Sequence, residues 1–298
     1  MQEYLDKCME SVLNQTMSDL EIILVENAST DASPAMCDEY ALKDSRIKVL
    51  HLDVGDLATA RNSGVAVATS EYVAFLDSDD TVDLQMYGTM YSFAHDNDLD
   101  VVYCNHVKIF DDRPPKYKFG ETGLKKIIRP KELVLMSLMQ KIPVSSCTMV
   151  ARRTIFDRFS FPVFVYYEDR CTYRLINECT KVGYIDKALY RYYQRPSSIM
   201  HTYTWKHYYD FANAEKERLE FLVNSDLFTD EEKLAASEVI VRYFLSKLRR
   251  ADHKAKTPSE KKLTAELAKG IALIPDGCAL KVKYRFYRFM LKLKYRWI

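Results

Sequence analysis

Glycine and proline are scarce, 8 and 9 in 298 residues, which excludes collagen-like and low-complexity sequence. Neither sign of charge is in excess: 43 Lys and Arg face 42 Asp and Glu, a formal net of +1, so a globally basic nucleic-acid binder is excluded. The seven cysteines, at 8, 37, 104, 147, 171, 179 and 278, are odd in number and form no CxxC pair. That leaves a disulfide framework and a thiolate zinc site without support, and reduced thiols are expected. No uncharged apolar run approaches the ~18–20 residues of a membrane span. The start, Met1-Gln2-Glu3-Tyr4-Leu5-Asp6, has neither the basic opening nor the apolar core of a signal peptide. A cytoplasmic location is expected.

What is present suffices for a sizeable core, with 48% hydrophobic and 29% charged residues. The length suits two domains, or one large α/β domain with an appendage. The charge is unevenly spread. Cys278 to Ile298 holds seven basic residues and no acid, leaving the remainder at −6.

Over the first hundred residues, helical and strand patterns alternate. Helices are expected over 4–14, 33–43, 57–68 and 82–96, and strands over 20–25, 47–52, 72–76 and 101–105. Residues 111–130 read as an irregular loop. A helix over 130–139, a strand over 146–150, a short helix over 153–159, a helix over 166–178 and strands within 183–193 follow. The predicted class is α/β, a doubly wound, mostly parallel sheet flanked by helices. From about residue 204 the pattern is helical with charged faces, over 204–223, 229–250, 258–272 and the tail 278–298. A boundary is therefore expected between a catalytic region, 1–203, and a C-terminal helical region, 204–298.

In such sheets ligands sit at the carboxyl ends of strands. Four features stand there or nearby. Phe75-Leu76-Asp77-Ser78-Asp79-Asp80 runs an apolar strand into three carboxylates. Period-two alternation would point Asp77 and Asp79 to one side, where they suit a hard divalent cation; an acidic turn capping the next helix is the plainer alternative. Val25-Glu26-Asn27-Ala28-Ser29-Thr30-Asp31 is a polar loop able to contact a base or ribose, or simply a turn and cap. Arg61 comes early in a small-residue helix and could reach a nucleotide or form a surface ion pair. Tyr166-Tyr167-Glu168-Asp169 places two acids where they could favour a helix N-terminus or supply a general base.

In this order and spacing the features resemble the family 2 glycosyltransferases, which have the GT-A fold. The matching stretches are YLDKCMESVLNQTMSDLEIILVENASTD, GDLATARNSGVAVATSEYVAFLDSDD, YYEDRCTYRLI and RYYQRPSSIMH, spread over about residues 3–200. The resemblance implies that Asp77 and Asp79 match the D-x-D pattern that holds Mn²⁺ or Mg²⁺ and the donor ribose and diphosphate. Arg61 matches the arginine near the donor nucleotide. Glu26, Asn27, Ser29 and Ser78 fall on the donor side, and Arg195 and Ser198 on a late loop closing over the donor phosphates. Asp169 matches the catalytic base, with Glu168 toward the acceptor, and His201 is a candidate further metal ligand.

Two departures from the family pattern stand out. Asn27 occupies the place of a base-contacting Asp. The apolar strand that usually opens the family's domain is missing before Tyr4, so an open slot in the sheet is expected.

The implied function is an inverting, metal-dependent transfer of sugar from a nucleotide-diphosphate donor to a hydroxyl of a cell-surface glycan or lipid-linked precursor. The alternative is a truncated, catalytically weak or inactive binding subunit of the same fold. A sugar-phosphate nucleotidyltransferase would need a glycine-rich phosphate loop, which is absent. No nucleic-acid partner is expected. In the tail, Val282, Phe286, Phe289, Leu293 and Trp297 recur at helical spacing beside a basic row, the pattern of a helix lying on an anionic membrane surface or packed on the protein. The first of these places the protein at the inner face of the plasma membrane.

Overall fold

The computed structural model describes residues 1–143, 145–195, 203–278 and 282–295. The chain divides into two units. The first comprises Met1–Leu133, Ile142–Phe164 and Thr172–Arg195, and the second Val134–Lys141, Val165–Cys171 and Pro196–Ile298.

The first unit opens with α1 (Gln2–Leu13), whose Leu5, Cys8, Met9 and Val12 form one buried stripe. β1 (Ile22–Asn27) leads into α2 (Ser33–Lys43), which carries a proline in its first turn, and β2 (Ile47–Leu52) follows. α3 (Leu57–Val67) is capped by Asp56, which accepts the Thr59 N–H at 2.8 Å. Next come β3 (Tyr72–Ala74), β4 (Thr81–Val82), α4 (Met86–Asp96) and β5 (Val101–Ile109). β6 (Lys116–Tyr117) and β7 (Lys125–Ile128) follow, then α5 (Pro130–Leu138), which belongs to the second unit from Val134 on, and the first unit resumes with β8 (Met149–Arg152), α6 (Thr172–Asn177) and β9 (Val182–Tyr193).

The sheet is mixed rather than mostly parallel. β1 and β2 pair in parallel as a sheet of their own. The larger sheet runs β3-β8-β5-β9-β4, with β6 on β5 and β7 on β9. Only β5 and β9 are parallel in it. The strand β8 returns between β3 and β5, a long-range pairing that local alternation does not encode. β1 pairs only with β2, and β3 only with β8, among the described residues.

Other expectations shift locally. The segment 111–130 is not wholly irregular, because it holds β6 and β7. The strand expected over 72–76 ends at Ala74, and the helix expected from Val82 starts at Met86. The expected helix 166–178 is a 3-10 turn, Glu168–Cys171, followed by α6. Two apolar clusters fill the unit. One lies between α1, β1, β2 and α2, and the other under α4, β5 and β9, with Leu76 packed against both.

The second unit is built on α7 (Trp205–Asn224), α8 (Asp230–Lys254), α9 (Pro258–Ala268) and α10 (Val282–Tyr295). Capping boxes set two of these starts, Thr229 with Glu232 and Thr257 with Glu260. In α10, Leu291 is buried, Lys294 pairs with Asp252 of α8 at 2.6 Å, and Phe289 and Leu293 of the apolar row are exposed. All seven cysteines are free, and six of them are buried. No helix among the described residues is long and apolar enough to cross a membrane.

Candidate active site

Asp77 to Asp80 form a turn, not a strand end. The Asp80 N–H donates to the Asp77 carbonyl at 3.0 Å, so period-two alternation does not place these side chains. The turn is tied to the sheet by its third carboxylate. Asp80 is buried, accepting the Tyr190 hydroxyl and, at 2.7 Å, the Tyr193 N–H. The Tyr190 oxygen in turn accepts the Asp77 N–H at 3.4 Å. Burial, reinforced by Asp77, pushes the Asp80 carboxyl up to about 8. Asp80 and Tyr190 thus anchor the turn from below, and neither caps a helix. Local reading gave Asp80 at most a capping role and did not single out Tyr190, which comes from a strand 110 residues away.

The other two carboxylates each face an arginine. Arg61, on α3 and almost fully buried, places Nη2 3.1 Å from Asp77 Oδ1 and its guanidinium 5.5 Å from the Phe161 ring centroid. The arginine is therefore buried rather than on the surface, and its partner Asp77 is the more exposed member of the pair. Arg195 places Nε 2.6 Å from Asp79 Oδ2, both side chains being 17% exposed. The Arg195 guanidinium also lies 5.9 Å from the Tyr4 ring centroid. Burial raises the Asp79 carboxyl, and Arg195 works against that shift. Ser78 is half-buried within the turn.

Asp77 and Asp79 offer hard oxygen donors, and Asp77 is about a third exposed. Mg²⁺ and Mn²⁺ take one or two carboxylates and complete their shell with substrate phosphates and water, so this donor set fits such an ion. Among the described residues no cluster of three metal-binding side chains occurs. Cys8 is near but unsuited. Burial and the three carboxylates push its thiol up to about 12, and its Sγ donates to the Asp77 carbonyl at 3.8 Å.

The loop after β1 is organised around its own side chains. Glu26 is buried, and its Oε1 accepts the Ser29 N–H at 2.6 Å. Asn27 Oδ1 accepts the Asp56 N–H at 2.9 Å, joining this loop to the start of α3. Gly55 makes that approach possible, since a Cβ there would stand 3.2 Å from the Asn27 carbonyl oxygen. Ala28 turns the chain at φ 56°. Glu26 and Ser29 therefore shape the loop, and Asn27 does at Asp56 what a carboxylate could equally do, by accepting.

Glu168 and Asp169 belong to the second unit, at the head of the 3-10 turn Glu168–Cys171. The turn is held from α7. Asp210 accepts the Tyr166 N–H at 2.9 Å, His207 stacks on the Tyr166 ring at 3.7 Å, and Arg170 pairs with buried Glu215. Arg218, fully buried, donates to the carbonyls of Ser137 at 2.9 Å, Leu138 at 3.1 Å and Arg170 at 3.3 Å. Ser198 and His201 lie outside the described residues.

Residues 2–159 match the model of glycosyl transferase family 2. The chain belongs to that family. Glycosyltransferase GlyG of Streptococcus pneumoniae is 32% identical over 212 residues, spanning 67% of this chain and 69% of GlyG. Putative glycosyltransferase EpsH of Bacillus subtilis is 34% identical over 210 residues, 68% of this chain and 60% of its own length. The structure of S. aureus TarS 1–349 in complex with UDP-GlcNAc superposes with TM-score 0.76 at 17% identity, over 99% of this chain and 86% of that one. That likeness establishes the GT-A-type fold with its helical region. The protein is a glycosyltransferase by family.

Proposed function

We propose that this family 2 glycosyltransferase moves a sugar from a UDP-type nucleotide sugar to a hydroxyl of a cell-surface glycan or its lipid-linked precursor, with inversion and with a divalent cation. The observation that carries the reading is the Asp77–Asp80 turn, with Arg61 on Asp77 and Arg195 on Asp79. Two carboxylates and two guanidiniums in one place can hold a diphosphate and a hard cation together. Mn²⁺ or Mg²⁺ on Asp77 and Asp79 would stabilise charge growing on the departing diphosphate. The donor seen with TarS supports the choice of a UDP-sugar as first probe.

The chain's own groups supply the rest. Arg61 is fixed by its buried position and orients the donor. Arg195 is the cation free to exchange Asp79 for phosphate oxygens once the donor arrives. Asp169 removes the proton of the attacking acceptor hydroxyl, with Glu168 on the acceptor side. A single displacement on the face opposite the diphosphate inverts the anomeric carbon. The exposed Phe289 and Leu293 of α10, beside basic residues, support a peripheral membrane contact for a lipid-linked acceptor.

The test is release of nucleoside diphosphate from a panel of UDP-, GDP- and dTDP-sugars with Mn²⁺, Mg²⁺ or chelator. Metal-dependent release from one donor class is expected. No release and no binding of any nucleotide sugar would overturn the reading.

A further inference from the structure

The β5–β6 hairpin concentrates charge that the transfer chemistry above does not use. Residues 106–118 carry four cations, Lys108, Arg113, Lys116 and Lys118, against two acids, a net of +2 in a chain whose total is +1. Two of the nearby acids are engaged outside the hairpin, and Asp112 faces one of its own cations. Asp111 accepts the Tyr193 hydroxyl, Glu121 accepts the Ala188 N–H, and Asp112 stands 4.0 Å from Arg113.

Strand register puts Lys108 and Lys116 on one face, and Arg113 stands in the loop between the two strands. Lys108 lies directly opposite Lys116, and Val107 opposite Tyr117. By alternation His106 and Lys108 share a face on β5, and Lys116 and Lys118 share it across the turn. Like charges directly opposite in an antiparallel pair are unfavourable. The crowding is felt: Lys116 and Arg113 add to burial in lowering Lys108, and Lys118 and Lys108 do the same to His106. Aromatic faces back the cations. Lys108 Nζ lies 5.5 Å from the Tyr192 ring centroid, the Lys118 amine 4.9 Å from Phe119, and the Arg113 guanidinium 3.8 Å from Phe110.

This face leads to the transfer site. β5 and β9 run in parallel to their ends, Lys108 beside Tyr192 and Ile109 beside Tyr193. The Gln194 N–H donates to the Ile109 carbonyl at 2.9 Å, and Lys108 Nζ donates to Gln194 Oε1 at 3.3 Å. The next residue is Arg195, held on Asp79. A row of cations therefore begins one residue from the proposed diphosphate site.

We propose that this hairpin face binds the phosphates of an anionic, phosphate-bearing glycan or polyol acceptor chain as it enters the transfer site. The proposal rests on the transferase reading above and names the acceptor's chemistry. An extended strand repeats a side chain on one face about every 7 Å, which suits a chain with phosphates at regular intervals. The exposed Arg113, Lys116 and Lys118 meet it first, and the Lys108–Gln194 contact carries it toward Arg195. A repeating anion of this kind compensates the Lys108–Lys116 pair that the fold leaves facing itself.

The experiment measures binding of a fluorescent glycerol-phosphate oligomer to the full chain and to the combined variant Arg113→Gln, Lys116→Gln, Lys118→Gln. Binding that weakens with salt is expected, and about ten- to thirtyfold weaker in the variant, because three exposed charge contacts are each worth a few-fold. UDP affinity and release of nucleotide to water should be the same in both proteins. Equal oligomer binding by the two proteins would overturn the proposal. So would binding to anionic phospholipid vesicles, lost in the variant, with none to the oligomer. Failure of the wild-type chain to bind UDP would instead sink the transferase reading, and the oligomer result would then be judged alone.

Discussion

Arg218 is the residue whose replacement should cost the helical unit most. Its guanidinium is fully buried, donates to three carbonyl oxygens and lies 3.4 Å from the Glu215 carboxylate. In Arg218→Met the side-chain volume is nearly kept, so cavity formation is minor. The loss is electrostatic: three buried acceptors lose a donor, and the Arg170–Glu215 pair loses its second cation. Breaking a buried charge cluster by removing one member costs about 3–5 kcal/mol. Total stability of a domain is about 5–15 kcal/mol. With a urea dependence of about 1–3 kcal/mol/M, the midpoint should fall by roughly 1–5 M. Urea titration followed by far-UV circular dichroism reads this, since the second unit is mostly helix. Arg218→Lys should fall between the two, because an ammonium cannot fork to three carbonyls. The Arg170 carbonyl follows directly on Asp169, so turnover should drop in Arg218→Lys with UDP affinity unchanged. A loss of stability below about 1 kcal/mol in Arg218→Met would refute the reasoning.

Asp169→Asn should lower turnover by roughly 10²–10⁴ with donor affinity intact, the scale for loss of a general base; near-normal turnover would remove Asp169 from that role. Asp79→Ala should abolish the metal-dependent part of UDP affinity in calorimetry, and equal affinities with and without Mn²⁺ in the wild type would discard the metal site. His106 should give stability a pH dependence. Burial, with Lys118 and Lys108 adding to it, lowers its imidazole from the ordinary 6.5 to about 4. The unfolded chain then takes the proton first, so stability is full above pH ~6.5 and lost as pH falls toward ~4, by roughly 3 kcal/mol. His106→Gln should flatten that part of the profile, and an NMR titration placing the imidazole near its ordinary value would contradict it. Chains with and without residues after Asp276 should differ in sedimentation with anionic liposomes and not with neutral ones, given the exposed Phe289 and Leu293. Equal behaviour of the two chains would make α10 a purely structural helix.

The sequence by itself determined the elements and the chemistry at their ends. Helical spacing in α1, α3 and α7 to α9, with capping residues such as Asp56, Thr229 and Thr257, is local information, since each such helix satisfies most of its backbone within itself. The apolar runs of β1 and β2 were legible for the same reason, and so was the concentration of carboxylates after Leu76. Asp77, Asp79 and Arg61 could be named as candidates from their local pattern, and Arg195 through the family resemblance.

Only tertiary structure decided how these groups meet. Strand pairing is long-range, so the antiparallel return of β8 and the mixed sheet could not be read from alternation. The Asp77–Asp80 turn breaks the strand two residues earlier than its apolar run suggests, because Asp80 is drawn inward to Tyr190 and Tyr193, more than a hundred residues away. The like-charged face of the hairpin likewise exists only through the register that sets Lys108 against Lys116. Arg218 sat among helical charges with nothing in the sequence to mark it. Its burial follows from the backbone carbonyls of Ser137, Leu138 and Arg170, which come from two segments distant in the chain and need a donor once folding removes them from water.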